Sequence, residues 1–540
     1  MRYTYRTAVL AILTLASGCA LAQSESAQIT QTQDAYFQQG QQTLQQMLNQ
    51  QANMNQAKNV IIFIADGADP VVHTSARILG GQQRGEVGER NILSFETFPN
   101  MALVKTYTAD SQVADSAPTA TAWNSGVKTN NGVIGVNSSV VYDDCASQDG
   151  NEVTLLFELA ETVGMATGTI STARLTHATS AASYAHTANR DWEADSDLSD
   201  EAKAQGCTDI AAQLLAFPYG DGLEVAVGGG RTNFLPDSVA DPEYGDEEMG
   251  ARADGQDLTQ AWLEQFENSA YVWNEEQFSA VDPATTDHLL GLFEPSHMQY
   301  ELDREGDVAG EPSLTEMTTK AIDILAKNPE GYVLQVEAGR VDHALHANNA
   351  ARALTDDLAF ADAIQATLDK VDLDETLILV SSDHGHTMTF AGYPHLNNPI
   401  LGLVREVGED GQPSEEPVLA QDEKPYTTLG FANGPGSIFF EEEDEADQTA
   451  SGGAAAGSEA GIVRPTLTEA EAQDPDFLQP ALVPLESETH GGSDVAAYAI
   501  GPRASLVRGV VEQSYLFQVM DYALDLSARA QSRGTASGGN

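Results

Sequence analysis

The chain has 540 residues, 41% of them apolar, which is enough to bury a large core; at about 150 residues per domain, three or four domains is the loose prior. Its 81 Asp and Glu stand against 26 Lys and Arg, only 8 of them Lys, for a formal net charge of −55. That balance argues against nucleic acid or an anionic membrane surface as a general partner, and an anionic ligand would need local positive charge. The acids are spread along the whole chain, as in a salt-adapted protein whose self-repulsion is screened by high ionic strength.

Residues 1–22 read as a secretory signal. Arg2 and Arg6 precede the apolar run 8–15, and Ala20 and Ala22 frame a small-x-small cleavage site before Gln23. Lipidation at Cys19 is the alternative, weakened by Ala16 three residues before it. No later stretch approaches the ~20 apolar residues of a membrane span. The mature chain is therefore expected to be periplasmic or secreted, without a transmembrane segment. Residues 23–58 are rich in Gln, with apolar positions at Tyr36, Phe37, Leu44, Met47 and Leu48. They read either as a helical arm suited to a partner subunit or as low-complexity disorder.

The continuous apolar run 60–64 ends in Ala65, Asp66 and Gly67, a buried strand with an acid at its carboxyl end. Residues 101–108 alternate like a strand, and 117–126 read as a short helix. Ser116 then lies at a helix N-terminus, following Asp115. There its hydroxyl serves either as an N-cap or as a nucleophile beside a natural anion site. The grammar repeats: helix 155–163 and strand 165–171; strand 223–227, ending in three glycines and Arg231; helix 315–326 and strand 332–336, ending at Glu337. A long amphipathic helix, 351–368, precedes strand 376–380, which ends at Ser382, Asp383 and His384. Alternating strands and helices predict an α/β fold, a large mostly parallel sheet with helices on both faces. From 394 to 486 the grammar breaks into a Pro-, Gly- and acid-rich insertion, after which strand 495–500 and helix 512–526 resume the main domain, 59–530. Residues 531–540 read as a flexible end. Cys145 and Cys207, the two cysteines of the mature chain, most simply form one disulfide in an oxidising compartment, a metal pair being the alternative.

Only 11 residues are His, and several fall beside strand-end acids. Asp342 and His346 are four apart, on one face of a helical turn, as two ligands of one ion require. Asp383 and His384 are adjacent at a strand end, and His490 stands before two glycines. Asp66 and Glu337 add hard oxygen donors. Nitrogen with carboxylate favours Zn²⁺, and all-oxygen sets favour Mg²⁺.

These motifs resemble the alkaline phosphatases, in order, from about residue 59 to 502. They comprise Asp66; Asp115, Ser116 and Ala117; Thr176 to Thr179; the run 185–190 ending in Arg190; the run 336–343; the run 383–386; and Glu488 to His490. The resemblance implies a fold with a crown-type insertion at 394–486, a homodimer, and two Zn²⁺ and one Mg²⁺ per subunit. It places Asp342, His346 and His490 on the first zinc, and Asp66, Asp383 and His384 on the second with Ser116 as a further ligand. Asp66, Thr179 and Glu337 would hold the magnesium. Ser116 is implied as the nucleophile and Arg190 as a bidentate phosphate clamp, with Asp115, His177, His343 and His386 around them. His177 and His343 look like the animal type, where the enterobacterial type has Asp and Lys, which opens the identity of the third metal. Pro118, usually a small residue, departs from the pattern. The implied activity is hydrolysis of a broad range of phosphate monoesters through a phosphoserine at alkaline pH. A phosphodiesterase of the same superfamily and a non-catalytic secreted metal- or phosphate-binding protein are the alternatives. A sulfatase of the usual kind needs a Cys/Ser-x-Pro-x-Arg run, which does not follow Ser116.

Overall fold

The computed structural model of the chain describes residues 31–437 and 464–537, with side chains through 533. The expected signal at 1–22 and the centre of the 394–486 insertion lie outside the described residues. Residues 1–51 and 52–540 are two separate units. Within the first, α1 (Ala35–Asn49) is capped by Asp34, whose carboxylate accepts from the amides of Tyr36 and Phe37. None of its residues is buried.

The second unit is built on ten strands: β1 (Asn59–Ala65), β2 (Asn100–Lys105), β3 (Ala166–Arg174), β4 (Val225–Gly229), β5 (Ser269–Val272), β6 (His288–Leu292), β7 (Tyr332–Ala338), β8 (Thr376–Ser381), β9 (Val495–Ile500) and β10 (Gly509–Glu512). They form one sheet in the order β10-β2-β9-β8-β1-β7-β3-β4-β6-β5. Only β9 runs against the others, pairing antiparallel with both β8 and β2. The sheet is mostly parallel, as the alternation of elements predicts.

Alternate residues of β1 explain why its sequence is continuously apolar. Val60, Ile62 and Ile64 enter one core, while Ile61, Phe63 and Ala65 enter the other. The first core is closed by α3 (Ser116–Ser125), α4 (Leu156–Thr162) and α8 (Tyr515–Leu524), through Trp123, Phe157 and Leu516. The second is closed by α2 (Pro70–Gln83), α5 (Leu314–Leu325), α6 (Arg340–His346) and α7 (Ala350–Lys370), through Val72, Met317, Leu345 and Phe360. A strand covered on both faces must be apolar at every position.

Several boundaries differ from the sequence reading. The strand expected at 101–108 is Asn100–Lys105, and the helix expected at 512–526 is Tyr515–Leu524, ended by Asp525 in the left-handed region (φ 55°). A further helix, Leu526–Ser537, covers most of the end expected to be flexible. Within the insertion, Leu429–Gly434 and Ala481–Pro484 join Met388–Phe390 in a separate three-stranded sheet. The two cysteines do bond: Cys145 and Cys207 form a disulfide across 62 residues of chain.

Candidate active site

Three neighbouring parallel strands deliver acids to one edge of the sheet. Ile64 of β1 is in register with Glu337 of β7 on one side and Ser381 of β8 on the other. Asp66, Glu337 and Asp383 therefore emerge together, at the carboxyl ends where open α/β sheets place their sites. Gly67 follows in the left-handed region (φ 74°), and a Cβ there would meet the His386 ring at 2.5 Å, so the close approach requires glycine. α6 starts directly after β7 and brings Asp342 and His346 one turn apart. His490 arrives on a two-residue strand, paired with His386.

The geometry has two nests of donors. In the first, His384 Nε2 lies 2.9 Å from Asp383 Oδ2, 3.6 Å from Asp66 Oδ1 and 3.3 Å from Ser116 Oγ. Both oxygens of Asp66, Oδ2 of Asp383, Oε1 of Glu337 and Oγ1 of Thr179 are buried with no hydrogen-bond partner among the described residues. Buried anionic oxygens left so are costly unless a cation meets them. Burial, followed by the charges of Asp383, Asp342 and Glu337, pushes the Asp66 carboxyl well above its ordinary range. Burial, with the Asp383 charge adding to it, lifts Glu337 to about 7 against the hydrogen bond that Ser180 Oγ donates to its other oxygen, Oε2.

In the second nest, His346 Nε2 and His490 Nε2 face each other at 3.0 Å, each 3.4 Å from Asp342 Oδ1. Their other nitrogens are committed: His346 Nδ1 to the Glu488 carbonyl at 2.5 Å, His490 Nδ1 to the Ala114 carbonyl at 2.7 Å. A carbonyl can only accept, so both rings carry their protons on Nδ1 and turn lone pairs toward one another. Two lone pairs and a carboxylate converging on one point form a nitrogen–oxygen set suited to Zn²⁺. His386 bridges Asp342 Oδ1 (2.7 Å) and Glu488 Oε2 (2.5 Å). Burial opposes its charge, but those two carboxylates raise it to about 10.

Ser116 is the first residue of α3, and Asp115 precedes it as the cap, accepting from the Ala117 amide at 2.7 Å. The capping duty weighed for Ser116 thus falls to Asp115, and the Ser116 hydroxyl faces His384 instead. Pro118 is in the first turn, where its missing N–H has no intrahelical partner. Arg190 Nη1 is held by Asp115 Oδ1 (3.2 Å), and Arg190 Nη2 donates to His177 Nε2 (2.9 Å). The backbone around it is tied down, with the Arg190 amide on the Gly132 carbonyl and Trp192 packed in one cluster with Cys145.

His177 and His343 lie beside this edge with ring centroids 5.6 Å apart, and a carboxylate oxygen of Asp66 and of Glu337 lies within 4.8 Å of a His177 nitrogen. Sequence reasoning missed their companion, His297, whose ring is 4.0 Å from that of His343 and 5.5 Å from that of His177. Burial and the neighbouring His343 and Arg174 charges push His297 far below the usual imidazole range. Its signal was the one used elsewhere, a His shortly after a buried strand, but β6 itself is too short to stand out. Glu488, recognised only as part of a motif, orients His386 as well.

A family model described as alkaline phosphatase matches residues 57–526. The chain belongs to the alkaline phosphatase family. It is 39% identical to the tissue-nonspecific alkaline phosphatase of Rattus norvegicus over 98% of this chain and 97% of that one, and 41% identical to that of Gallus gallus over 90% and 88%. Among solved structures, the alkaline phosphatase of Thermus thermophilus shares the fold at a TM-score of 0.59, with 24% identity over 89% of this chain and 94% of that one. That of the Antarctic bacterium TAB5 does so at 0.56, with 20% identity over 87% and 99%. This alkaline phosphatase is a phosphoric monoester hydrolase, and its acid and imidazole clusters are able to hold metal ions. Among the described residues no helix is long and apolar enough to cross a membrane. If the buried donors answer to cations, dialysis against a chelator should destabilise each subunit by about 4 kcal/mol or more, the value for a ligand at 1,000 times its dissociation constant. Chemical denaturation with and without restored zinc and magnesium measures this; an unchanged midpoint would show that the nests need no metal.

Proposed function

We propose that the enzyme hydrolyses a broad range of phosphate monoesters through a phosphoserine on Ser116, with two Zn²⁺ and one Mg²⁺ per subunit. Asp342, His346 and His490 would hold one zinc; Asp66, Asp383 and His384 the other, beside Ser116; and Asp66, Thr179 and Glu337 the magnesium. What carries the reading is Ser116 itself: a buried hydroxyl released from capping and aimed at the His384, Asp66 and Asp383 nest. Bound there, the cations supply Lewis-acid charge that favours a deprotonated oxygen nucleophile and a departing oxyanion.

The chain's own residues do the rest. Ser116 Oγ attacks phosphorus in line; the Oγ–P bond forms as the ester P–O bond breaks and the alcohol leaves. The start of α3 faces the transferred group, and a helix N-terminus tolerates negative charge well. Arg190, braced by Asp115 and His177, presents a planar fork to two phosphate oxygens, a geometry lysine cannot supply. Water then attacks phosphorus from the opposite side, releasing Ser116 and inorganic phosphate. His386, held between Asp342 and Glu488, fixes the carboxylate that His346 and His490 share. His177 and His343 beside the third site are neutral where an acid would draw Mg²⁺ more strongly, which leaves that site open to Zn²⁺ as well as Mg²⁺; burial and Arg190 push His177 well below the usual range.

The surrounding protein is read as an exported homodimer adapted to salt. α1 exposes Leu44, Met47 and Leu48, a face suited to a partner subunit.

Ser116→Ala should lower kcat for a monoester by about 10⁴-fold or more while retaining its metals, with no acid-stable phosphoenzyme in a rapid quench. Arg190→Lys should lose about 10²-fold in kcat/KM. Full monoesterase activity in Ser116→Ala would refute the assignment, and faster hydrolysis of diesters than monoesters would favour the diesterase reading. The net charge of −55 predicts an unfolding midpoint that rises from low to molar NaCl, whereas equal midpoints would contradict salt adaptation.

A further inference from the structure

At the other edge of the sheet, where β3 and β4 begin, three carboxylates meet. Glu161 comes from the last turn of α4, Asp221 from the loop before β4, and Glu224 from the residue just ahead of it. Oxygens of the three lie within 4.8 Å of one another. Oxygens around a single ion at 2.3–2.6 Å are separated by at most about 5 Å, so all three fit one coordination sphere. This place is distinct from the catalytic edge. Thr167, which holds two of the carboxylates, pairs with Val333, whereas Glu337 at the candidate active site pairs with Ser171, four residues or about 13 Å further along the strands.

Surface acids cluster without binding anything, but Glu161 is not at the surface; it is 2% exposed. Its Oε1 accepts from Thr167 Oγ1 at 2.7 Å, while Oε2 is buried with no hydrogen-bond partner among the described residues. That orphan oxygen points at the loop carrying Asp221, where a Cβ on Gly220 would come within 2.0 Å of it. Gly220 (φ 59°) and Gly222 (φ 86°) bracket Asp221 in the left-handed region, which lets the loop close over the carboxylate. Glu224 Oε2 accepts the Thr167 amide at 2.7 Å. Among the described residues none of the three carboxylates has an ion-pair partner. Burial, then the charge of Glu224, pushes Glu161 up to about 10, and burial, then Asp221, pushes Glu224 up to about 8. Three acids arranged this way repel one another unless a positive charge joins them.

We propose that Glu161, Asp221 and Glu224 bind a calcium ion at a structural site separate from the catalytic metals. The clustered donors are all oxygen and select a hard cation; His288 lines the same cavity but is not among those donors, and its Nδ1 is bound to the Leu223 carbonyl. Three carboxylates of irregular placement, with waters filling the rest of the sphere, suit the flexible coordination of Ca²⁺ better than the octahedron of Mg²⁺. The ion enters from a solvent-open cavity of ≈ 680 Å³ lined by Gly220, Asp221 and Glu224. It clamps the end of α4 to the starts of β3 and β4, the elements beneath the catalytic edge.

Equilibrium dialysis of ⁴⁵Ca²⁺ against the full chain in zinc- and magnesium-containing buffer tests this, comparing wild type with Glu161→Gln and Asp221→Asn. Each variant should bind one calcium fewer per chain than wild type, with kcat/KM for a monoester unchanged within about two-fold. At calcium 100-fold above its dissociation constant, the wild-type unfolding midpoint should gain about 2–3 °C more than that of either variant. Asp221 is exposed, so Asp221→Asn reports on the site even where Glu161→Gln fails to fold. Equal calcium counts in wild type and Asp221→Asn overturn the proposal, as does an equal calcium-induced gain in midpoint.

Discussion

Asp66 is completely buried, neither of its oxygens has a hydrogen-bond partner among the described residues, and the charges of Asp383, Asp342 and Glu337 all bear on it. A carboxylate in that position is sustained only by positive charge, and everything at the catalytic edge is arranged around this requirement. The parallel register of β7, β1 and β8 forces the acids together, and the apolar cores on both faces of β1 keep the strand ends rigid. The same demand resolves the apparent conflict between a −55 chain and an anionic substrate. Cations held by the buried acids, as proposed, would with Arg190 make the cleft locally positive whatever the surface carries.

The second organising feature is the division of labour at the start of α3. Asp115 accepts the Ala117 amide and an Arg190 N–H with the same oxygen, Oδ1. One carboxylate therefore caps the helix, frees Ser116 and aims the guanidinium. Pre-organisation of this kind would hold the proposed nucleophile, at the start of α3, and the proposed phosphate grip, on a neighbouring loop, in fixed relation, where loose positioning would cost rate. Tautomer control works similarly in the second nest, where the carbonyls of Glu488 and Ala114 decide which nitrogens of His346 and His490 would be left for the proposed zinc.

How much was legible depended on length and burial. β1, β7 and β8 announce themselves as continuous apolar runs, because both faces are covered, and their terminal acids mark the site. α7 shows its helical period over 21 residues. The spacing of Asp342 and His346 pointed to one shared helical face, which the structure has, whereas the clamp role proposed for Arg190 came from the family resemblance, because nothing local separates a phosphate clamp from a surface arginine. β5, β6 and β10 have four or five residues each, too few for a pattern, and they hid the edge strands and His297. Glu161 and Glu224 were invisible among 81 acids, since only the fold shows that one of them is buried. The start of α3 was misread by one residue, and that single step transferred the cap from Ser116 to Asp115.

The most direct measurement of the central claim is anomalous scattering at the zinc edge from crystals of the enzyme grown with zinc and magnesium. Two zinc peaks per subunit are expected, one among Asp66, Asp383, His384 and Ser116 and one among Asp342, His346 and His490. Well-ordered side chains with no anomalous peak between them would contradict it, because the buried oxygens of Asp66 would then stand without the charge on which the site depends.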